Sequence, residues 1–307
     1  MTAGPALRIG IDIGGTKTEV VALGADGTVV AEHRLATGFG SAAVLDSAEQ
    51  AVRALAAALG TTPTEFATLG VGIPGAVDRS TGRVTHALNL GLEDLDLGAE
   101  LGARLGRPVR VENDVNAAAL GAWQALGGGA TESMAYLNLG TGLAAGLVLG
   151  GRLWRGSRGV AGEIGHIPVD PAGPVCPCGQ RGCLELTASG SGLARVWEGD
   201  SVRDLHDAAV GGDQAALGVW RGFVEHVAAS VRLLVLTVDP DRVVIGGGLS
   251  SLGDELLGAV RGVLGDWAAS SPFLAMLDLP SRVEVLPRDF PAAAVGAALV
   301  GAAAGED

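Results

Sequence analysis

The sequence predicts an α/β protein built from a duplicated unit, with a metal-binding loop in its second half. Three observations lead there. Apolar strand-like runs alternate with segments of helical periodicity from Leu7 to the end of the chain. A strand, a glycine–threonine turn and a second strand occur twice, about 125 residues apart. All three cysteines, Cys176, Cys178 and Cys183, lie within eight residues, and the histidine upstream, His166, ends the run Gly-Glu-Ile-Gly-His.

The elements follow in order. Leu7–Ile13 is an apolar strand that turns at Gly14-Gly15-Thr16 into a second run through Val20, Val21 and Leu23. A turn at Ala25-Asp26-Gly27 leads to a third run, Thr28–Ala31. Ser41–Leu59 is alanine-rich with apolar residues spaced by three and four, hence helix. Leu69–Ile73 reads as a strand ended by Pro74-Gly75, Leu95–Leu105 as helix, Val109–Glu112 as strand and Val115–Leu126 as helix. The device then recurs: Met134–Leu139, the turn Gly140-Thr141-Gly142, Leu143–Leu149, a Gly150-Gly151 turn and Arg152–Trp154. Leu193–Trp197 and Asp213–Val238 are helical, the latter placing Trp220, Phe223, Val227 and Leu234 in a core. Arg242–Ile245 is a strand entering Gly246-Gly247-Gly248, Leu252–Ala269 is helical, and Pro291–Ala304 is an apolar final helix.

Composition narrows the function classes. The 307 residues carry a formal charge of −13, opposite to the basic surface that nucleic acid requires. No apolar stretch is long and uninterrupted enough to span a bilayer. Met1–Arg8 lacks the basic start and apolar stretch of a signal peptide, so a cytoplasmic location is expected. The chain has 20 arginines and a single lysine, Lys17, which falls in the first glycine turn.

Cys176, Cys178, Cys183 and His166 supply three soft sulfurs and an imidazole, the ligand set of a closed tetrahedral zinc site. Three buried metal-free cysteines, or a disulfide with one odd thiol, are the rival readings; zinc is favoured because nothing else points to an oxidising compartment. Glu163 and Glu185 stand just outside these ligands, so a metal that pins the loop also aims two carboxylates and an imidazole edge.

Ile11-Asp12-Ile13-Gly14-Gly15-Thr16-Lys17 sets a carboxylate at a strand end beside a turn whose N–H groups approach phosphate closely. The same tripeptide also makes ordinary hairpins, and it does not match the Walker pattern. Glu112-Asn113-Asp114-Val115-Asn116 spans a strand end and a helix start. It reads equally as a helix cap and as a general base at a helix N-terminus, with Asn113 suited to sugar hydroxyls. Val244–Ser250 is either an anion cradle or close packing, and Gly72-Ile73-Pro74-Gly75 and Asn89 are further cleft-lining positions.

The succession Asp-x-Gly-Gly-Thr-Lys, Gly-Ile-Pro-Gly, Glu-Asn-Asp-x-Asn-Ala, Leu-Gly-Thr-Gly, Gly-Glu-Ile-Gly-His, Cys-x-Cys-Gly-x-x-Gly-Cys-x-Glu and Gly-Gly-Gly resembles the ROK family of sugar kinases and repressors. The likeness runs from Ile9 to the final helix and is strongest to bacterial glucokinases. It implies an actin-like, ribonuclease-H-like fold of two lobes. Residues 1–116 and 291–307 would form the smaller lobe with a returning C-terminal helix, and residues 117–290 the larger lobe with the zinc loop. It also implies ATP-dependent phosphorylation of a hexose 6-hydroxyl with Mg2+ and a structural Zn2+, in a homodimer or homotetramer.

Position by position, Asp114 resembles the catalytic base. Gly75, Asn89, Asn113, Glu163, His166 and Glu185 match sugar-holding positions. Asp12, Gly14, Gly15, Thr16, Lys17, Gly140, Thr141 and Gly142 match phosphate-binding positions, and Gly247 and Gly248 the adenosine side. Leu92 departs from the tryptophan that many family glucokinases carry after the Asn-Leu pair, and Gly-Gly-Thr-Lys-Thr-Glu also resembles family fructokinases and mannokinases. Glucose is therefore the first choice, ahead of mannose, fructose and N-acetylhexosamines. Family repressors carry a helix-turn-helix ahead of the Asp-x-Gly-Gly motif, where this acidic chain has eleven residues. Polyphosphate-using members tend to lack the cysteine loop, which favours ATP as donor.

Overall fold

A computed structural model describes residues 7–199, 201–287 and 289–302. They fall into two compact units, one within Met1–Gly128, Arg155–Val160 and Pro291–Asp307, the other within Gly129–Trp154 and Ala161–Phe290.

In the first unit, β1 (Arg8–Ile13), β2 (Lys17–Leu23) and β3 (Val29–Ala36) form an antiparallel meander. Strand β3 runs five residues beyond the expected end at Ala31. Its alternately exposed Glu32, His33 and Arg34 break the apolar run but keep the period of two that an edge strand needs. Helix α1 (Ser41–Ala58) covers the sheet with Val44, Leu45, Ala48, Ala51, Val52 and Leu55. Next come β4 (Thr68–Ile73), β5 (Ala76–Asp78), β6 (Arg83–Ala87), β7 (Leu92–Leu95) and α2 (Leu97–Leu105). Leu92–Leu95 pairs with β6, so the helix expected from Leu95 starts two residues later. The small β5–β6–β7 sheet carries only three to five residues per strand, too few to leave a periodic signal in sequence. Strand β8 (Val109–Asn113) passes directly into α3 (Asp114–Ala125). The main sheet has the order β3-β2-β1-β4-β8, with β1, β4 and β8 parallel.

The second unit repeats this plan. Strands β9 (Met134–Leu139), β10 (Leu143–Leu149) and β11 (Arg152–Trp154) form its meander. They are followed by α4 (Gly190–Leu193), α5 (Val202–Val210), α6 (Gln214–Val238), β12 (Arg242–Gly246), α7 (Asp254–Ser270), α8 (Pro272–Met276) and β13 (Val283–Val285). The sheet order β11-β10-β9-β12-β13 has the topology of the first, so the repeat seen in the sequence is a repeat of structure. Trp220, Phe223, Val227 and Leu234 are buried in the core of this unit. The helix expected at Leu193–Trp197 instead occupies Gly190–Leu193, because the Ser189 hydroxyl accepts the Gly192 N–H and starts it earlier.

The final helix, α9 (Ala292–Ala302), belongs to the first unit and packs on β1, β4 and α3. The last two residues of its expected span, 303 and 304, lie outside the described residues. Contact is backbone to backbone. A Cβ on Gly10 would overlap the Ala294 carbonyl, one on Gly70 that of Ala297, one on Gly121 that of Ala292 and one on Gly296 that of Ala117. Because α9 grips α3 in this way, α3 counts with the first unit, whose first segment runs to Gly128.

Gly296→Ala is expected to lower unfolding stability by about 2 kcal/mol or more, since backbone cannot yield to the added methyl. Gly258→Ala, on the exposed side of α7 with nothing within 4 Å, is expected to be neutral or stabilising by up to about 1 kcal/mol. Urea denaturation of the two variants measures both.

Candidate active site

In the first unit the predicted residues gather at the carboxyl ends of the parallel strands. Asp12 lies opposite Gly72 on β4, and Gly72 lies opposite Glu112 on β8. A Cβ at Gly72 would lie 3.2 Å from the Cβ of Ala117 and in ordinary contact, 3.5 Å, with the Cα of Asp114. Asn113 is the N-cap of α3, its side-chain oxygen accepting the N–H groups of Val115 (3.0 Å) and Asn116 (3.2 Å). Its amide nitrogen donates to the Gly75 carbonyl at 3.3 Å. The capping reading of this motif is therefore real, and it leaves Asp114 as the first residue of the helix. Asn89 sits in a single 3-10 turn, Leu88–Leu90, against Gly15; a Cβ there would lie 3.4 Å from Nδ2 of Asn89. Gly75 has φ of +101° and abuts Ala87, so glycine is needed there for conformation and space alike.

Beneath these residues lies Glu112, 2% exposed. One oxygen accepts from the Asn113 N–H and from Nδ2 of Asn116, each at 3.1 Å. The other accepts from Nε of Arg155 at 2.7 Å and lies 3.5 Å from Nε of Arg79. Glu112 was not singled out from the sequence as a functional residue; the available signal was a carboxylate at the end of an apolar strand, which must find partners.

Charge is concentrated at Asp12. Burial raises its carboxyl to about 7, the negative charges of Asp114 and Glu19 add to the rise, and Lys17 and Arg34 oppose it. Carboxylates short of positive charge fit a divalent cation, and Asp12 is the residue that would hold one. The Gly14–Thr16 turn closes with the Gly14 N–H donating to the Lys17 carbonyl at 2.9 Å.

In the second unit the corresponding turn, residues 140–142, joins β9 to β10. Oε2 of Glu185 accepts the Leu143 N–H at 3.0 Å, and a Cβ on Gly142 would come within 2.6 Å of that oxygen. Glu185 thus ties the cysteine loop to the glycine turn. Glu163 lies near His166 and Glu185; burial raises its carboxyl, with His166 opposing and Glu185 reinforcing the rise. Gly247, with φ of +85°, lies against Asn138 and the Leu139 carbonyl, while Gly248 has nothing within 4 Å of a Cβ position. Asn138 is a neighbour that the strand pattern gave no reason to select.

His166, Cys176, Cys178 and Cys183 come together, with all four ligand atoms within 4.8 Å of one another. Sγ of Cys178 and Cys183 are 3.6 Å apart, and Sγ of Cys176 is 3.9 Å from Nδ1 of His166. A disulfide needs about 2 Å, so these are free thiols. Edges of a tetrahedron with Zn–S of about 2.3 Å and Zn–N of about 2.0 Å are about 3.5–3.8 Å, close to those separations. The donor set fits zinc bound through Nδ1. Hydrogen bonding from Gln180, first its backbone and then its side chain, lowers the Cys178 thiol to about 6. Burial pushes Cys183 up to about 12, so a bound cation is what would ionise it at neutral pH.

The description "ROK family" fits residues 8–302 of the chain. The chain belongs to the ROK family. It is 33% identical over 295 residues to a glucokinase of Streptomyces coelicolor, covering 89% of this chain and 92% of the relative. A glucokinase of Halalkalibacterium halodurans is 33% identical over 276 residues, covering 82% and 83%. Among solved structures, a ROK family glucokinase from Streptomyces griseus in complex with glucose and AMPPNP superposes with a TM-score of 0.81 at 30% identity, covering 96% of this chain and 99% of that one. The fold is thus the two-lobe α/β fold of ROK sugar kinases.

Two predictions test the charge and the metal. With its carboxyl near 7 when folded and near 3.8 when unfolded, Asp12 takes up protons on folding, so it costs stability increasingly as pH rises from 4 to 7. Asp12→Asn is expected to stabilise the ligand-free chain at pH 8 by about 2 kcal/mol, allowing for screening, and to lose that gain by pH 4. Thermal unfolding across this pH range reads it. The purified chain is expected to hold about one zinc ion, which Cys183→Ser releases with a fall in Tm. Elemental analysis finding no zinc in the unmodified chain contradicts the ligand set.

Proposed function

We propose that this chain is an ATP-dependent hexose kinase that phosphorylates the 6-hydroxyl, with glucose as its first substrate and Asp114 as general base. One observation carries the reading: Asp114 opens α3 beside the cap Asn113 and close enough to Asp12 to raise its carboxyl. A carboxylate so placed has its backbone fixed by the cap, as a proton acceptor requires.

In this reading the hexose oxygen attacks the γ-phosphorus, forming the new O–P bond as the bond from that phosphorus to the β–γ bridging oxygen breaks. ADP leaves with the electron pair, and Asp114 takes the hydroxyl proton. Asn113, with Gly75 and Asn89 beside it, orients sugar hydroxyls in the first unit, and Glu163, His166 and Glu185 are the hydroxyl-holding groups of the second. The N–H groups of the two glycine turns, residues 14–16 and 140–142, take phosphate oxygens, and Gly247 and Gly248 admit the nucleoside. Asp12 is the residue that would hold a magnesium ion, which would neutralise charge on those oxygens. Four protein ligands leave zinc no open position, so its part is to hold the cysteine loop rigid, with Nε2 of His166 directed to the sugar.

The choice of ATP and glucose is supported by the glucose- and AMPPNP-bound structural relative and by the two glucokinases. Asp114→Asn is expected to lower kcat for hexose-dependent ADP release by about 10³-fold while hexose binding stays measurable by calorimetry. Near-normal turnover in that variant removes the base assignment. The same assay over glucose, mannose, fructose and N-acetylhexosamines, with ATP and polyphosphate compared, tests acceptor and donor.

A further inference from the structure

The proposed reaction uses Asp12, the Gly14–Thr16 turn and Lys17 at the nucleotide phosphates but leaves Glu19 without a task. Glu19 sits within β2 and is 4% exposed. An ionised carboxylate is costly to bury unless its oxygens are paired. The sheet register lines up three charged residues: Asp12 lies opposite Glu19, and Glu19 lies opposite Arg34. Opposed residues on neighbouring strands share a face, and Lys17, two residues before Glu19, joins them there.

The two oxygens of Glu19 are divided between two cations. Oε1 accepts from Nε of Arg34 at 3.0 Å and from its Nη2. Oε2 lies 3.8 Å from Nζ of Lys17, whose side chain is 50% exposed. A lysine on a four-carbon stem samples many positions unless something holds it, whereas the guanidinium of Arg34 meets Glu19 from the next strand as a rigid fork. Arg34 therefore braces the carboxylate, and the carboxylate faces the ammonium at ion-pair distance. Lys17 is near enough to Asp12 to lower its carboxyl, so the held ammonium stands by the turn that takes the phosphates.

We propose that Glu19 is a positioning residue of the nucleotide site: braced by Arg34, it holds the Lys17 ammonium beside Asp12 and the Gly14–Thr16 turn, where it meets the phosphate chain. The inference rests on the kinase reading for the identity of the ligand. It makes Lys17-x-Glu19 on β2 and Arg34 on β3 a single device.

Glu19→Gln keeps the volume and an acceptor for Arg34 but removes the charge that holds Lys17. The KM for ATP is expected to rise about tenfold, with kcat and the hexose KM within about twofold. A purely structural pair would instead lower stability and leave that split absent. A second readout uses Lys17 as the chain's only side-chain amine. Acetylation followed by mass spectrometry, with and without a non-hydrolysable ATP analogue and no hexose, is expected to show about tenfold protection in the unmodified chain and less than about twofold in Glu19→Gln.

An unchanged KM for ATP in folded Glu19→Gln, or equal labelling of Lys17 with and without nucleotide, overturns the proposal. If Glu19→Gln does not fold, Lys17→Met serves: an unchanged KM for ATP there overturns it, and a rise of the same size supports it. Protection of Lys17 in a chain that turns over no hexose counts against the kinase reading alone. Hexose turnover with Lys17 unprotected counts against this inference alone.

Discussion

The junction of β8 and α3 depends on one buried charge. Glu112 accepts the Asn113 N–H, holds the side-chain amide of Asn116 and takes the guanidinium of Arg155. A carboxylate in that position cannot be left half-satisfied, so its partners hold both sides of the residue proposed as base. Arg155 begins the short segment Arg155–Val160, which counts with the first unit although the chain on either side of it belongs to the second. Its first residue is tied to that unit by the ion pair with Glu112.

The two units share a sheet order and a strand–turn–strand opening, yet they carry different chemistry. In the first, the turn at residues 14–16 lies among carboxylates, Asp12, Asp114 and Glu19, with Lys17 and Arg34 as counterions. In the second, the turn at residues 140–142 is joined by Glu185 to a loop of soft ligands. The same backbone presents N–H groups in both; the side chains around it decide whether it faces a cation or a carboxylate. Duplication supplies the scaffold, and later segments give each copy its task.

A metal held by the cysteine loop would serve a site in which it does no chemistry. Its bridges, Val175 to Arg181 and Pro168 to Cys183, are single ladder pairs that would fray alone. A metal bound by residues 166, 176, 178 and 183 would tie them at four points, with Glu163 and Glu185 at the margins of the tied region. Gly142 must remain bare for Glu185 to reach the Leu143 N–H.

Much of this was readable in residues alone. Three cysteines in eight residues beside a Gly-Glu-Ile-Gly-His run specify a ligand set through their side-chain chemistry, and the recurring strand–glycine–strand pattern specifies a duplicated α/β fold through its period. Both are local properties, carried by residues adjacent in the chain. The charge row Asp12–Glu19–Arg34, the anchoring of Glu112 by Arg155 and the overlap of Gly10, Gly70, Gly121 and Gly296 with helix backbones were not readable. Each depends on strand register or helix packing between segments up to 288 residues apart, as the close approach of Gly10 to the backbone of Ala298 shows. Local pattern names which groups are present; only packing, where one residue of register moves a side chain to the other face, decides which of them meet.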